Sequence, residues 1–73
     1  MRLKKFNTMN DGLHWVYEND NGETLSIICH KYSYGWENGK FETQCSWLPD
    51  VQGRLNFVQV QRKIDTLKRR EKK

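Results

Sequence analysis

Two cysteines, two histidines and nine acidic side chains are the groups in this 73-residue chain suited to metal binding, nucleophilic attack or proton transfer. Zinc ligands usually come as C-x2-C or H-x3-H pairs, because a tetrahedral site takes two donors from one short turn. His14, Cys29, His30 and Cys45 show neither spacing. Cys29 and His30 are adjacent, but neighbours in a strand face opposite sides, and no third residue is placed to orient an imidazole for a Cys-His nucleophile. The carboxylates fall on predicted loops and strand ends, with no cleft to raise a pKa. The expectation is a non-enzyme with no catalytic residue, no metal and no cofactor.

What remains is ionic and aromatic chemistry. Residues 54–73 carry Arg54, Arg62, Lys63, Lys68, Arg69, Arg70, Lys72 and Lys73 against Asp65 and Glu71, a local charge of +6. Residues 6–53 carry −5 and the start, with Arg2, Lys4 and Lys5, carries +3, giving the net +4. The molecule is polarised, and its two parts attract different partners. Cations on a helix are a phosphate footprint, so Arg62, Lys63, Arg69 and Arg70 are the nucleic-acid-binding candidates. The competing reading is a solvated tail, whose cations oppose the negative end of the helix dipole and stabilise the helix by a few tenths of a kcal/mol each.

Tyr32, Tyr34 and Trp36 run into a turn beside Glu37. Aromatics on a sheet face stack on bases or anchor a protein interface. Glu37 and Glu42 repel phosphate, which favours protein, so Tyr32, Tyr34, Trp36 and Glu37 form the predicted protein-binding surface. The alternative is that Tyr34 and Trp36 fold back over the edge of the core.

These residues need a scaffold. Residues 13–18 and 25–33 alternate apolar and polar around Asp20-Asn21-Gly22, which predicts a β-hairpin. A three-residue loop with Gly22 left-handed pairs Tyr17 with Leu25, Trp15 with Ile27 and Leu13 with Cys29. A two-residue turn would put Glu18 on the apolar face, so the hydrophobic pattern selects the longer loop. A five-residue loop at 35–39 then sets Ile27 opposite Trp47, Cys29 opposite Cys45 and Ser33 opposite Phe41. Leu13, Trp15, Tyr17, Leu25, Ile27, Cys29, Phe41, Cys45 and Trp47 line the core face. Ile28 and Tyr32 lie on the other, where an uncovered apolar sheet surface suits a homodimer or a partner.

Pro49 ends the third strand. Asn56 and Gln59 predict a capping box, with Leu55 and Val60 as the hydrophobic staple. Phe57, Val60, Ile64 and Leu67 recur as one apolar stripe at helical spacing. Whether residues 1–7 form a fourth strand stays open, since R-L-K-K-F alternates and its lysines would blunt an edge. The predicted fold is one small α+β domain over 1–73, a three-stranded antiparallel sheet on a C-terminal helix in the order β-β-β-α, frayed at about 1–7 and 70–73. Three Trp among nine aromatics raise the apolar area buried per residue, which so short a chain needs. The first ten residues hold no apolar signal segment and no run suits a membrane span, so the expected location is the cytoplasm of a host cell, with both cysteines reduced.

The run S-Y-G-x3-G-x-F-E at residues 33–42, followed by Val51-Gln52-Gly53-Arg54-Leu55, Val60, Lys63 and Ile64, resembles small uncharacterised phage and prophage proteins of Gram-positive bacteria. The likeness spans residues 25–67 and brings no known activity with it. Where that pattern often has Gly or a small residue, this chain has Trp36 and Asn38. The order of elements is also similar to the arm-type DNA-binding domains of tyrosine recombinases and to the plant AP2 domains, which read the major groove with basic and aromatic strand residues. Here the strands carry Glu18, Glu23 and Glu42 instead. The first resemblance implies a phage or prophage accessory protein; with the acidic strands and the basic helix, the expectation is a module that binds a host or phage macromolecule, a protein first, with DNA or RNA through the basic helix as the alternative.

Overall fold

The computed structural model describes residues 1–9, 12–29 and 39–71. Five strands and a helix follow one another: β1 (Arg2–Met9), β2 (Gly12–Glu18), β3 (Thr24–Cys29), β4 (Phe41–Cys45), β5 (Gln52–Leu55) and α1 (Phe57–Arg69). The strands form a single sheet in chain order, every neighbouring pair antiparallel. The architecture is α+β, with one helix laid on a sheet that has two more strands than the sequence predicted.

The first hairpin keeps its predicted register. Tyr17 faces Leu25, Trp15 faces Ile27 and Leu13 faces Cys29. The loop closes through Asn19 N–H donating to the Glu23 carbonyl at 3.0 Å, with Gly22 at φ 80°, a region that favours glycine. The second register differs from expectation. Leu25 faces Cys45 and Ile27 faces Thr43, a slide of four residues from the predicted pairing. An even slide sends every side chain to the same face as before, so the hydrophobic pattern alone does not distinguish the two. Hydrogen bonds beyond the ladder hold the observed one: Ser46 N–H donates to the Thr24 carbonyl at 2.9 Å, and Ser46 Oγ accepts from Thr24 N–H at 2.9 Å.

The two added strands are the sheet's edges. β1 pairs with β2 through a bulge between Leu3 and Lys5. The extra residue, Lys4, resets the alternation, so that Leu3, Phe6 and Thr8 share the face of Tyr17, Trp15 and Leu13. In an unbroken strand Lys5 would follow Leu3 onto that face. β5 is also irregular, because Gly53 and Arg54 fall between the paired residues Gln52 and Leu55, where β4 has only Glu42. Arg54 adopts a left-handed φ of 59°.

The helix begins as the sequence predicts. Asn56 Oδ1 accepts from Gln59 N–H and Gln59 Oε1 accepts from Asn56 N–H, both at 2.8 Å. Leu25, Ile27, Cys45, Val60 and Leu67 form the buried core, with Trp15, Tyr17, Phe41, Trp47, Leu48, Leu55 and Ile64 packed around it. Each fully buried aliphatic side chain contributes about 1.5–3 kcal/mol. Phe57, expected in the apolar stripe, is instead 72% exposed, since the first helical turn emerges beyond the packed interface.

The far end of the helix is tied down by the first hairpin loop. Buried Asn19 accepts through Oδ1 from the backbone N–H groups of Asn21 and Glu23, each at 3.0 Å. Its Nδ2 donates to the Leu67 carbonyl at 3.0 Å and to Glu23 Oε1 at 3.1 Å. Asn21 Nδ2 donates to the Arg70 carbonyl. The turn therefore satisfies two carbonyls at the end of the helix, those of Leu67 and Arg70, while the Arg70 and Glu71 amides take those of Thr66 and Lys68. Among the described residues no helix is long and apolar enough to cross a membrane.

Candidate functional site

The helix covers only part of the sheet. α1 lies against β3, β4 and β5, while the same face of β1 and β2 presents Leu3, Phe6 and Leu13, which are 52%, 58% and 41% exposed. With Trp15 and Tyr17 these residues line an open hollow of about 380 Å³. Phe6 leans on Trp15 with ring centroids 6.5 Å apart, and Trp15 meets Phe41 edge-on at 6.1 Å. The aromatic row thus runs from the uncovered strands into the core, which holds Trp15 in place. An exposed apolar surface of this kind towards one edge of a sheet marks a contact site.

A second surface lies on the other side of the helix. Arg62 and Lys63 line a cleft of about 340 Å³ together with Gln59 and Thr66 of α1 and Gln52 and Leu55 of β5. Thr66 Oγ1 donates to the Arg62 carbonyl at 2.9 Å and accepts from the Arg69 guanidinium at 3.4 Å, which sets Arg69 one turn beyond the cleft. Gln59 Oε1 is held by the cap, leaving its Nε2 to donate. The cleft lining carries no carboxylate.

The four predicted nucleic-acid residues divide. Arg62 and Lys63 come together and Arg69 is their neighbour, but Arg70 is committed elsewhere. Its Nε and terminal nitrogen donate to the two oxygens of Glu23 at 2.7–3.1 Å, and its guanidinium sits 4.7 Å from the centroid of the Trp47 ring. The Glu23 hydrogen bonds push the Arg70 pKa still higher. Arg70 clamps the end of the helix to Glu23 and Trp47, which sets it apart from the other three. Its partner lies 47 residues away in sequence, where helical spacing gives no signal. The predicted protein-binding residues Tyr32, Tyr34, Trp36 and Glu37 lie outside the described residues, as does His30. Sequence reasoning missed the exposure of Leu3, Phe6 and Leu13; the signal available was the i, i+3 spacing of Leu3 and Phe6, which needs a bulge to share a face.

The remaining reactive groups are dispersed. Cys29 and Cys45 are free thiols, and because Cys45 faces Leu25 the expected Cys29–Cys45 pairing across the strands does not form. Burial pushes the Cys45 thiol pKa up. Among the described residues no three His, Cys, Asp or Glu side chains converge as a metal ion would require. Arg2 and Lys4 both reach Glu18, at 2.6 and 3.1 Å, and hold its carboxyl below the usual range. Comparison with known proteins finds no matching family model, no matching curated protein and no matching solved structure.

Proposed function

We propose that this chain is a non-enzymatic binding module whose partner is a protein, docked on the uncovered apolar half of the sheet. The single observation behind this reading is that Leu3, Phe6 and Leu13 stand exposed on the face that the helix covers elsewhere. The occupant is a partner helix with an apolar stripe. Strands lie about 4.8 Å apart and a helix with its side chains is about 10 Å across, so β1 and β2 leave the width of one helix beside α1. A helix laid there completes a two-layer arrangement, the usual way of burying a sheet's apolar face. The aromatic anchors Phe6 and Trp15 are the residue types that dominate protein interfaces. In a phage or prophage setting, to which the pattern at residues 33–42 points, the partner would be a host or phage protein.

Phe6→Ser combined with Leu13→Ser tests the proposal, because the two side chains are 58% and 41% exposed and outside the buried core, and a thermal midpoint for the variant checks that it stays folded. Wild-type protein retains a partner through salt washing and the double variant releases it. Arg62→Gln with Lys63→Gln, on the other side of the helix, retains it. Equal retention by the apolar double variant and wild type overturns the proposal, and so does a wild-type self-dimer that accounts for all of the binding.

A further inference from the structure

The cleft between β5 and α1 differs in chemistry from the apolar hollow and is independent of it. Every ion pair among the described residues uses a cation outside this region. Arg2 and Lys4 take Glu18, Arg70 takes Glu23, and the amino group of Met1 lies beside Asp20 and Glu71. Arg54, Arg62, Lys63, Lys68 and Arg69 are left without a carboxylate among the described residues. The nearby acid Asp65 accepts from Gln61 at 3.2 Å on the helix; at about 100° per residue it lies roughly 60° from Arg62 and roughly 40° from Arg69, at the outer edge of their row and outside the cleft lining. The protein's internal pairing therefore neutralises much of the acidic body; Lys5 and Lys40 are also left without a carboxylate among the described residues but lie away from the cleft, so the largest group of uncompensated cations is the stripe on α1.

That stripe has length as well as charge. Arg62 and Arg69 are seven residues apart on nearly the same helical face, about 10 Å along the axis. Lys63 and Thr66 flank them inside the cleft, and the Gln59 amide adds a neutral donor. Opposite, Gln52 Oε1 is buried and has no hydrogen-bond partner among the described residues. A single phosphate is shorter than the cation row, and a carboxylate ligand would not use the acceptor. A phosphodiester chain matches both, with phosphates spaced along the cations and a sugar hydroxyl or base N–H available to Gln52.

We infer that the β5–α1 cleft binds the phosphodiester backbone of nucleic acid, with Arg62, Lys63 and Arg69 as the phosphate contacts. The contact is sequence-independent and electrostatic. Three neutralised phosphates give a log–log salt slope of about −2 on a single strand and slightly steeper on a duplex.

Fluorescence anisotropy with a labelled 20-nucleotide single strand, the matching duplex and the matching RNA tests this at low salt, using the full chain. Wild type binds at least one of the three, and Arg62→Gln with Lys63→Gln weakens that binding about tenfold and flattens the salt slope by about 1.4. Lys5→Ala with Lys40→Ala removes the same charge away from the cleft and leaves the slope unchanged. Binding of inorganic phosphate or a phosphopeptide without any of the three nucleic acids overturns the inference. So does equal weakening by the two double variants. A thermal midpoint for each variant within a few degrees of wild type excludes misfolding, and a lost partner protein with retained nucleic-acid binding separates this site from the apolar one.

Discussion

Replacing Asn19 with Ala removes a buried polar side chain that hydrogen-bonds the first hairpin to the end of the helix. Four hydrogen bonds are lost: two from backbone amides in the turn, one to the Leu67 carbonyl and one to Glu23. They are unequal. The Asn21 amide lies in an exposed turn and rehydrates at little cost, whereas Leu67 is fully buried. Its carbonyl has no substitute in the last turn, where Arg70 N–H goes to Thr66 and Glu71 N–H to Lys68. A buried acceptor left unmade costs about 1–3 kcal/mol, and each other net bond about 1, so the substitution destabilises by about 3 kcal/mol. A domain of this size has roughly 4–11 kcal/mol in total. Urea unfolding followed by tryptophan fluorescence reads the change, and the thermal midpoint falls by about 12–24 °C. Asn19→Asp keeps the acceptor for the turn amides but loses the Leu67 bond and sets a carboxylate against Glu23, so it rescues little. A loss below about 1 kcal/mol for Asn19→Ala refutes the reasoning, since the turn would then not hold the helix end.

Arg70→Ala removes a partly exposed ion pair and its contact with Trp47, lowering the thermal midpoint while leaving nucleic-acid affinity within about twofold; a large affinity loss with an unchanged midpoint reverses the assignment of this residue. Arg54→Gly relieves a left-handed φ that costs an L-residue roughly 1 kcal/mol, and after the added freedom of the unfolded chain the thermal midpoint rises by about 2–4 °C. A fall in that midpoint shows that the Arg54 side chain contributes more than its backbone costs. Glu18 is bound by Arg2 and Lys4, and its folded pKa is depressed. Its contribution is present at neutral pH and down to the unfolded carboxylate value of about 4.3, and is lost as pH falls through the lower folded value. Thermal midpoints from pH 7 to 2 accordingly fall less steeply at the acid end for Glu18→Gln than for wild type; parallel curves contradict the pairing.

The legible parts of the fold were those with local signals. Gly22 and the alternation on either side of it define the first hairpin, and Asn56 with Gln59 define the helix start. The second register escaped because a slide of four residues preserves both faces; among the described residues the Ser46 contacts to Thr24 help fix it, and Ser46 carries no sequence mark of that role. β5 escaped because a four-residue strand containing Gly53 and a left-handed Arg54 has no alternation to read. β1 was half visible, since its alternation is broken by the Lys4 bulge that brings Phe6 beside Leu3. The basic stripe was legible as charge, but not its division into a clamp at Arg70 and an unpaired group at Arg62, Lys63 and Arg69. That division depends on Glu23, which sequence distance hides. The apolar hollow was the least legible feature: Leu13, Trp15 and Tyr17 were assigned to the core face, yet only the position of α1 over β3, β4 and β5 determines which part of that face stays in water.

The central claim is that this uncovered half of the sheet receives a partner helix. Site-specific photocrosslinking tests it most directly, with a benzoyl-phenylalanine at position 6 and, as a control, at position 44, where Gln44 is exposed on the opposite face. The account predicts one discrete heterologous crosslink from position 6, its peptide carrying a helical apolar stripe, and none from position 44. Equal crosslinking from both positions, or a product from position 6 that contains only a second copy of this chain, contradicts it.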